Sequence, residues 1–109
     1  MKNFDQMIWQ EHLTFVEFYA TWCGPCKEME PVIARFKERM SDRTEIVRID
    51  IEDEAFERVV RRYNIISVPT LMFFRRGEVL WRESGAVGYN HLVMILEELE
   101  QYELAGQRC

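Results

Sequence analysis

No stretch of the chain approaches the ~20 consecutive apolar residues that a membrane-spanning helix needs, so nothing in it reads as a membrane protein. The opening Met1-Lys2-Asn3-Phe4-Asp5-Gln6 lacks the charged-then-apolar order of an export signal. Excess positive charge is missing too: 14 Lys and Arg stand against 19 Asp and Glu, a formal net charge of −5. Nucleic-acid binding depends on clustered cations, and that balance argues against it as the main task. Arg61-Arg62 and Arg75-Arg76 read as solvated pairs. Cysteine is scarce and odd in number, three in 109 residues, which rules out a disulfide framework and suits a reducing, cytoplasmic setting. Repeats, low-complexity tracts, linkers and cofactor-binding motifs are all absent. With 48% hydrophobic residues, residues 1–109 are expected to form one domain with an ordinary core and no need of staples.

What the chain does have is Trp22-Cys23-Gly24-Pro25-Cys26-Lys27. Ahead of it, Leu13 to Ala20 is an apolar run rich in β-formers and reads as a buried strand. Behind it, Cys26, Met29, Val32, Ile33, Phe36 and Met40 recur at three- and four-residue steps, the spacing of an amphipathic helix. The hexapeptide is therefore a strand-to-helix junction, where unpaired N–H groups and the helix dipole favour a thiolate at Cys23. Cys23 is the expected attacking sulfur, accessible at the junction, and Cys26, one turn in, the resolving one. Gly24 lets a substrate backbone approach, and Pro25 has its missing N–H where the helix needs none. Two readings compete with redox chemistry. A zinc site would need four ligands, and only Cys109, His12 and His91 are available to supplement the pair. Two buried structural cysteines are the other.

A Cys-x-x-Cys beside a strand and a helix is a thioredoxin-like redox signal, and the sequence resembles the thioredoxin family well beyond it. Val16-Glu17-Phe18-Tyr19-Ala20, Pro31, Val68-Pro69-Thr70, Gly77 and Gly85-Ala86 all fall in register with that family over roughly Leu13 to Leu99. The resemblance implies an α/β thioredoxin fold, a mixed central sheet flanked by helices on both faces. About four strands are expected, because too few residues precede the first helix to supply the family's usual extra edge strand. It also implies a protein-disulfide reductase working on other proteins through Cys23 and Cys26. Such a protein binds no cofactor or metal and is recharged by an NADPH-dependent, flavin-containing thioredoxin reductase. Gly24-Pro25 is the pair found in reducing members.

Glu17 lies between Val16 and Phe18 in a strand covered on both faces, where burial should raise its pKa. The resemblance makes it the acid that takes and returns the proton of Cys26, glutamate standing where aspartate is usual; outward on an edge strand, it would have no such task. Arg48 matches a family lysine that pairs with the buried acid, and a surface position is its alternative reading, since an unpaired buried guanidinium is costly. Pro69 matches a cis-proline set against the cysteines. Trp22, Val68, Pro69, Gly85 and Ala86 are expected to form the docking patch for substrate polypeptides around Cys23.

Elsewhere a short helix is expected from Asn3 to about His12, a strand from Thr44 to Ile51, and a helix striped by Ala55, Phe56, Val59, Val60 and Tyr63 that ends at Asn64. Leu71 to Phe74 and Val79 to Ser84 should form a hairpin about Arg76-Gly77, and a last helix should start at Asn90. Pro31 should bend the long helix. Cys109 belongs to a frayed tail. A monomer is expected. The rival functions are a reductant dedicated to one partner enzyme and a binding or assembly module that never turns over.

Overall fold

The computed structural model describes residues 2–107, and Cys109 lies outside them. Alternation along the two central strands builds the core. In β1 (Leu13–Tyr19) and β3 (Thr70–Arg75) successive side chains point to opposite faces. Leu13, Phe15, Leu71 and Phe73 go to one side, and Val16, Phe18, Met72 and Phe74 to the other. Both sides are covered, so both strands read as continuous apolar runs. The sheet order is β2-β1-β3-β4, with β2 (Thr44–Asp50) parallel to β1, and β3 antiparallel to both β1 and β4 (Glu78–Ser84). Among the described residues β2 is one edge of the sheet and β4 the other.

The first face is closed by α2 (Gly24–Met40) and α4 (Tyr89–Gln107), through Met29, Ile33 and Phe36 from one and Leu92, Ile95 and Leu96 from the other. Phe15 meets Phe36 and Phe73 with ring centroids 5.4 and 5.1 Å apart, within the range of favourable tilted pairs. The opposite face is closed by α1 (Phe4–Ile8) and α3 (Glu57–Arg62), through Phe4, Ile8 and Val59. A 3-10 turn, Glu54–Phe56, leads into α3. α2 continues as one helix from Gly24 to Met40 with Pro31 inside it.

Several boundaries differ from expectation for local reasons. α1 stops at Ile8 rather than near His12. The carbonyls of Ile8 and Gln10 are taken by the N–H groups of Gly77 and Arg76 at 3.0 and 2.8 Å, which ties the following segment to the β3–β4 hairpin. β2 ends at Asp50, whose carbonyl accepts the Asp53 N–H at 3.1 Å and whose carboxylate accepts the Glu52 N–H at 2.9 Å, turning the chain out of the strand. α4 starts at Tyr89, so Asn90 lies inside it. At the end of α3, Asn64 has φ 52°, and the Asn64 and Ile65 N–H groups reach the carbonyls of Arg61 and Val60, the paired bonds of a Schellman cap. In the hairpin, Arg76 and Gly77 both have positive φ, 50° and 79°, as a two-residue turn of type I′ requires. No helix among the described residues is long and apolar enough to cross a membrane.

Candidate active site

The chain leaves β1 at Tyr19 and re-enters regular structure at Gly24, so Thr21 and Trp22 form a short turn that delivers Cys23 to the first turn of α2. Cys23 is the N-cap, with extended backbone (φ −87°, ψ 116°), and its Sγ accepts the Cys26 N–H at 3.1 Å. That bond satisfies one of the orphan donors of the helix start with a sulfur in place of the usual oxygen. It strengthens when the sulfur is anionic. Cys23 and Cys26 are joined in a disulfide with Cα atoms 5.2 Å apart, within ordinary bridging distance. Pro25 occupies the first turn of α2, where its missing donor is not needed. A Cβ built on Gly24 would meet nothing within 4 Å, which leaves the space above it clear.

The loop ahead of β3 closes the site from the other side. The Val68–Pro69 peptide is cis. Val68 packs against the cluster of Ala20, Cys23 and Cys26, to which Tyr19 and Ile51 also belong. The Val68 carbonyl oxygen is 3.5 Å from Cys23 Sγ; the bridged sulfur has no proton to give, so this becomes a hydrogen bond only in the reduced thiol. Gly85, with φ 97°, donates its N–H to the Pro69 carbonyl at 2.8 Å. That bond joins the end of β4 to the proline loop, bringing Val68, Pro69 and Gly85 together beside the cysteines. Trp22 is 65% exposed, and Ala86 is exposed as well.

Cys23 is less accessible than its position suggested. It is 4% exposed against 2% for Cys26, because Val68 and neighbouring apolar side chains pack around the bridge. The two sulfurs therefore differ by their place in the helix, cap against interior, more than by exposure.

Glu17 is fully buried. Strand alternation puts it on the α2 and α4 face, in register with Arg48 of β2. Arg48 Nε donates to Glu17 Oε1 at 2.7 Å, and Glu17 Oε2 is buried with no hydrogen-bond partner. Burial pushes the Glu17 carboxyl above its ordinary range; the Arg48 hydrogen bond and charge pull it part of the way back, and Glu30 on α2 adds a further push upward. Arg48 is thus paired, and its side chain stays 34% exposed, which spares the guanidinium full desolvation.

The two histidines a zinc site would recruit are engaged with other side chains. His12 faces Glu45 and His91 faces Glu83, and no group of three or more His, Cys, Asp or Glu side chains converges among the described residues. Two residues near the site escaped the sequence reading. Ile66, 85% exposed two positions before Val68, is the most exposed large hydrophobic side chain among the described residues; an apolar pair before Ser-Val-Pro was the available signal. Tyr19 carries the Arg48 guanidinium 4.1 Å from its ring centroid. Its same-face position two residues from Glu17 was the hint.

The thioredoxin family model matches residues 1–98. Among curated proteins, chloroplastic thioredoxin Y of rice (Oryza sativa subsp. japonica) is 35% identical over 96 residues, which cover 87% of this chain and 56% of that protein. Thioredoxin-1 of Drosophila melanogaster is 38% identical over 76 residues, covering 70% of this chain and 69% of that one. The chain spans a little over half the length of the rice and Arabidopsis chloroplast proteins it matches. Among solved structures, thioredoxin of Malassezia sympodialis superposes with a TM-score of 0.77 at 24% identity, covering 90% of this chain and 86% of that chain, a likeness of fold. The germline-specific thioredoxin Deadhead of Drosophila melanogaster superposes with a TM-score of 0.73 at 35% identity over 82% of each chain.

Proposed function

The chain belongs to the thioredoxin family, and from that premise we propose that it is a protein-disulfide reductase acting through Cys23 and Cys26. One observation carries the reading: the pair is bridged at a helix N-terminus with Cys23 Sγ as the cap. In the reduced protein the Cys23 thiolate attacks one sulfur of a substrate disulfide, forming a mixed disulfide and releasing the first substrate thiolate. Cys26 then gives its thiol proton to the Glu17 carboxylate and attacks Cys23 Sγ. The Cys23–Cys26 bond forms, the mixed disulfide breaks, and the second substrate thiolate leaves and takes the proton back. Two electrons pass from the dithiol to the substrate. A carboxyl raised by burial suits this relay, since it takes up a proton more readily than an ordinary carboxylate and can return it.

Trp22, Gly24, Val68, Pro69, Gly85 and Ala86 are the proposed docking surface, with the backbone of Val68 pairing an extended substrate segment. Recharging falls to an NADPH-dependent, flavin-containing reductase, because the chain carries no cofactor motif of its own. A cytoplasmic monomer is proposed. The compartment rests on the odd cysteine count, with relatives named as chloroplastic showing that the family works elsewhere too. The monomer rests on the β2 edge, where Glu45, Arg48 and Asp50 oppose edge-to-edge pairing. The test is catalytic reduction of a small disulfide-bonded protein with NADPH and a thioredoxin reductase as electron source. Turnover lost in both Cys23→Ser and Cys26→Ser is expected; turnover kept in either, or none in the parent chain, contradicts the reading.

A further inference from the structure

We infer that Tyr19 is a positioning residue: its ring holds the Arg48 guanidinium face-on, so that Arg48 engages Glu17 through one oxygen and leaves Oε2 free to carry the proton of the resolving step. This rests on the relay proposed for Glu17 and assigns it to a single atom.

Four observations meet here. Tyr19, Glu17 and Arg48 share one face of the sheet, Glu17 and Arg48 in register on neighbouring parallel strands and Tyr19 two residues along. The Arg48 guanidinium carbon sits 4.1 Å from the Tyr19 ring centroid, a close cation–π distance. Arg48 meets the carboxylate through Nε alone, at 2.7 Å from Oε1, while Oε2 is buried and unpartnered. Tyr19 also packs against the cluster of Ala20, Cys23 and Cys26, so one ring touches both the cysteine site and the cation that faces the acid.

A guanidinium next to a carboxylate ordinarily closes a two-toothed fork that occupies both oxygens. Stacking on Tyr19 orients the plane of Arg48 and presents a single donor instead. The groups facing Glu17 are otherwise few. Glu30 on α2 acts on it through its charge, Arg48 on β2 pairs with it, and the β3 neighbour, Leu71, is apolar; Cys26 belongs to α2, the helix that covers the same face. With Oε2 unpaired, the carboxyl keeps a site at which a thiol proton can be received. If Arg48 closed the fork, that site would be filled and the carboxylate would be a weaker base.

The test follows the resolving step by stopped flow with an aromatic disulfide whose thiolate absorbs on release, the second release reporting attack by Cys26. Tyr19→Leu is expected to slow that release about two- to fivefold at neutral pH, the equivalent of one cation–π contact, and to move its pH midpoint toward acid. Tyr19→Phe, which keeps the ring face, should match the parent. In an Arg48→Lys background, where no fork can form, adding Tyr19→Leu should change nothing further. If Tyr19→Leu does not fold, trifluorophenylalanine at position 19 keeps the shape and weakens the attraction, and the same acid shift is expected. An alkaline shift would mean that Arg48 is released rather than forked, and no shift would mean that Tyr19 sets nothing; either overturns the inference. Glu17→Gln separates the levels. If it removes the ionisation while the Tyr19 variants leave the profile alone, only the positioning role fails. If Glu17→Gln leaves the profile intact, the relay fails and the Tyr19 role with it.

Discussion

Replacing Glu17 by leucine is expected to stabilise the oxidised protein at neutral and alkaline pH while impairing its chemistry. Glu17 is fully buried, holds one hydrogen bond from Arg48, and leaves Oε2 without a partner. A buried polar atom without a hydrogen bond costs about 1–3 kcal/mol, and replacing a buried ion pair by apolar side chains gains about 1–4 kcal/mol in known cases. Leucine nearly fills the same volume, and Arg48, one third exposed and stacked on Tyr19, keeps water and the ring as partners. A gain of about 2 kcal/mol, which lies within both ranges, corresponds to a urea midpoint about 1 M higher at the slopes usual for small domains. The pH dependence fixes the sign. Because the folded-state pKa of Glu17 is raised by burial, the native protein binds this proton more tightly than the unfolded chain does. Stability of the parent therefore falls as pH rises from the ordinary glutamate value through the raised folded value, and is flat beyond. The leucine variant lacks this loss, so its advantage should be smallest in acid, grow through that window and then level off. Urea unfolding of the oxidised parent and variant across that pH range reads the difference directly. A variant less stable than the parent at alkaline pH, or an advantage that grows toward acid, would show that the Arg48–Glu17 pair is a net stabiliser and refute the reasoning.

Cys26→Ser should accumulate a stable mixed disulfide through Cys23 when mixed with an oxidised substrate protein, and Cys23→Ser should not; mass spectrometry of the non-reduced products distinguishes them. Gly85→Ala should lose about 1–2 kcal/mol on thermal unfolding, because φ is 97° there and a Cβ meets no atoms that could compensate. Gly77→Ala should lose more, since its Cβ would also lie 2.7 Å from the Trp9 ring. Adding Trp9→Ala should return the steric part alone, a coupling that a double-mutant cycle measures. Phe36→Ala should cost about 3–5 kcal/mol by chemical denaturation, as this ring is fully buried between Phe15 and Phe73.

The parts of the fold that depend on local pattern were legible in the residues. The six-residue motif states both its redox chemistry and its place between strand and helix, and Cys23 does cap α2. Asn64 and Gly77 announce positive φ by residue type, and both have it. The apolar run of β1, broken only by Thr14 and Glu17, and the run Leu71 to Phe74 in β3 identified strands covered on two faces. What depends on pairing between distant segments was not legible. The contact between Glu17 and Arg48 needs β1 and β2 parallel in one register, so a surface Arg48 was as good a reading until the register was known. The early end of α1 follows from carbonyls claimed by the hairpin tip, about 70 residues away in the chain. The depth of Cys23 and the stacking of Tyr19 likewise come from side chains packed across elements, which no local spacing encodes.

The most direct measurement is the rate of alkylation of each cysteine in the freshly reduced protein across pH, with the modified residue identified by mass spectrometry. The expected result is that Cys23 reacts well ahead of Cys26 at neutral pH, its thiolate favoured by the Cys26 N–H and the helix terminus. Equal rates, or Cys26 reacting first, would contradict the assignment of attacking and resolving sulfurs on which the proposed chemistry stands.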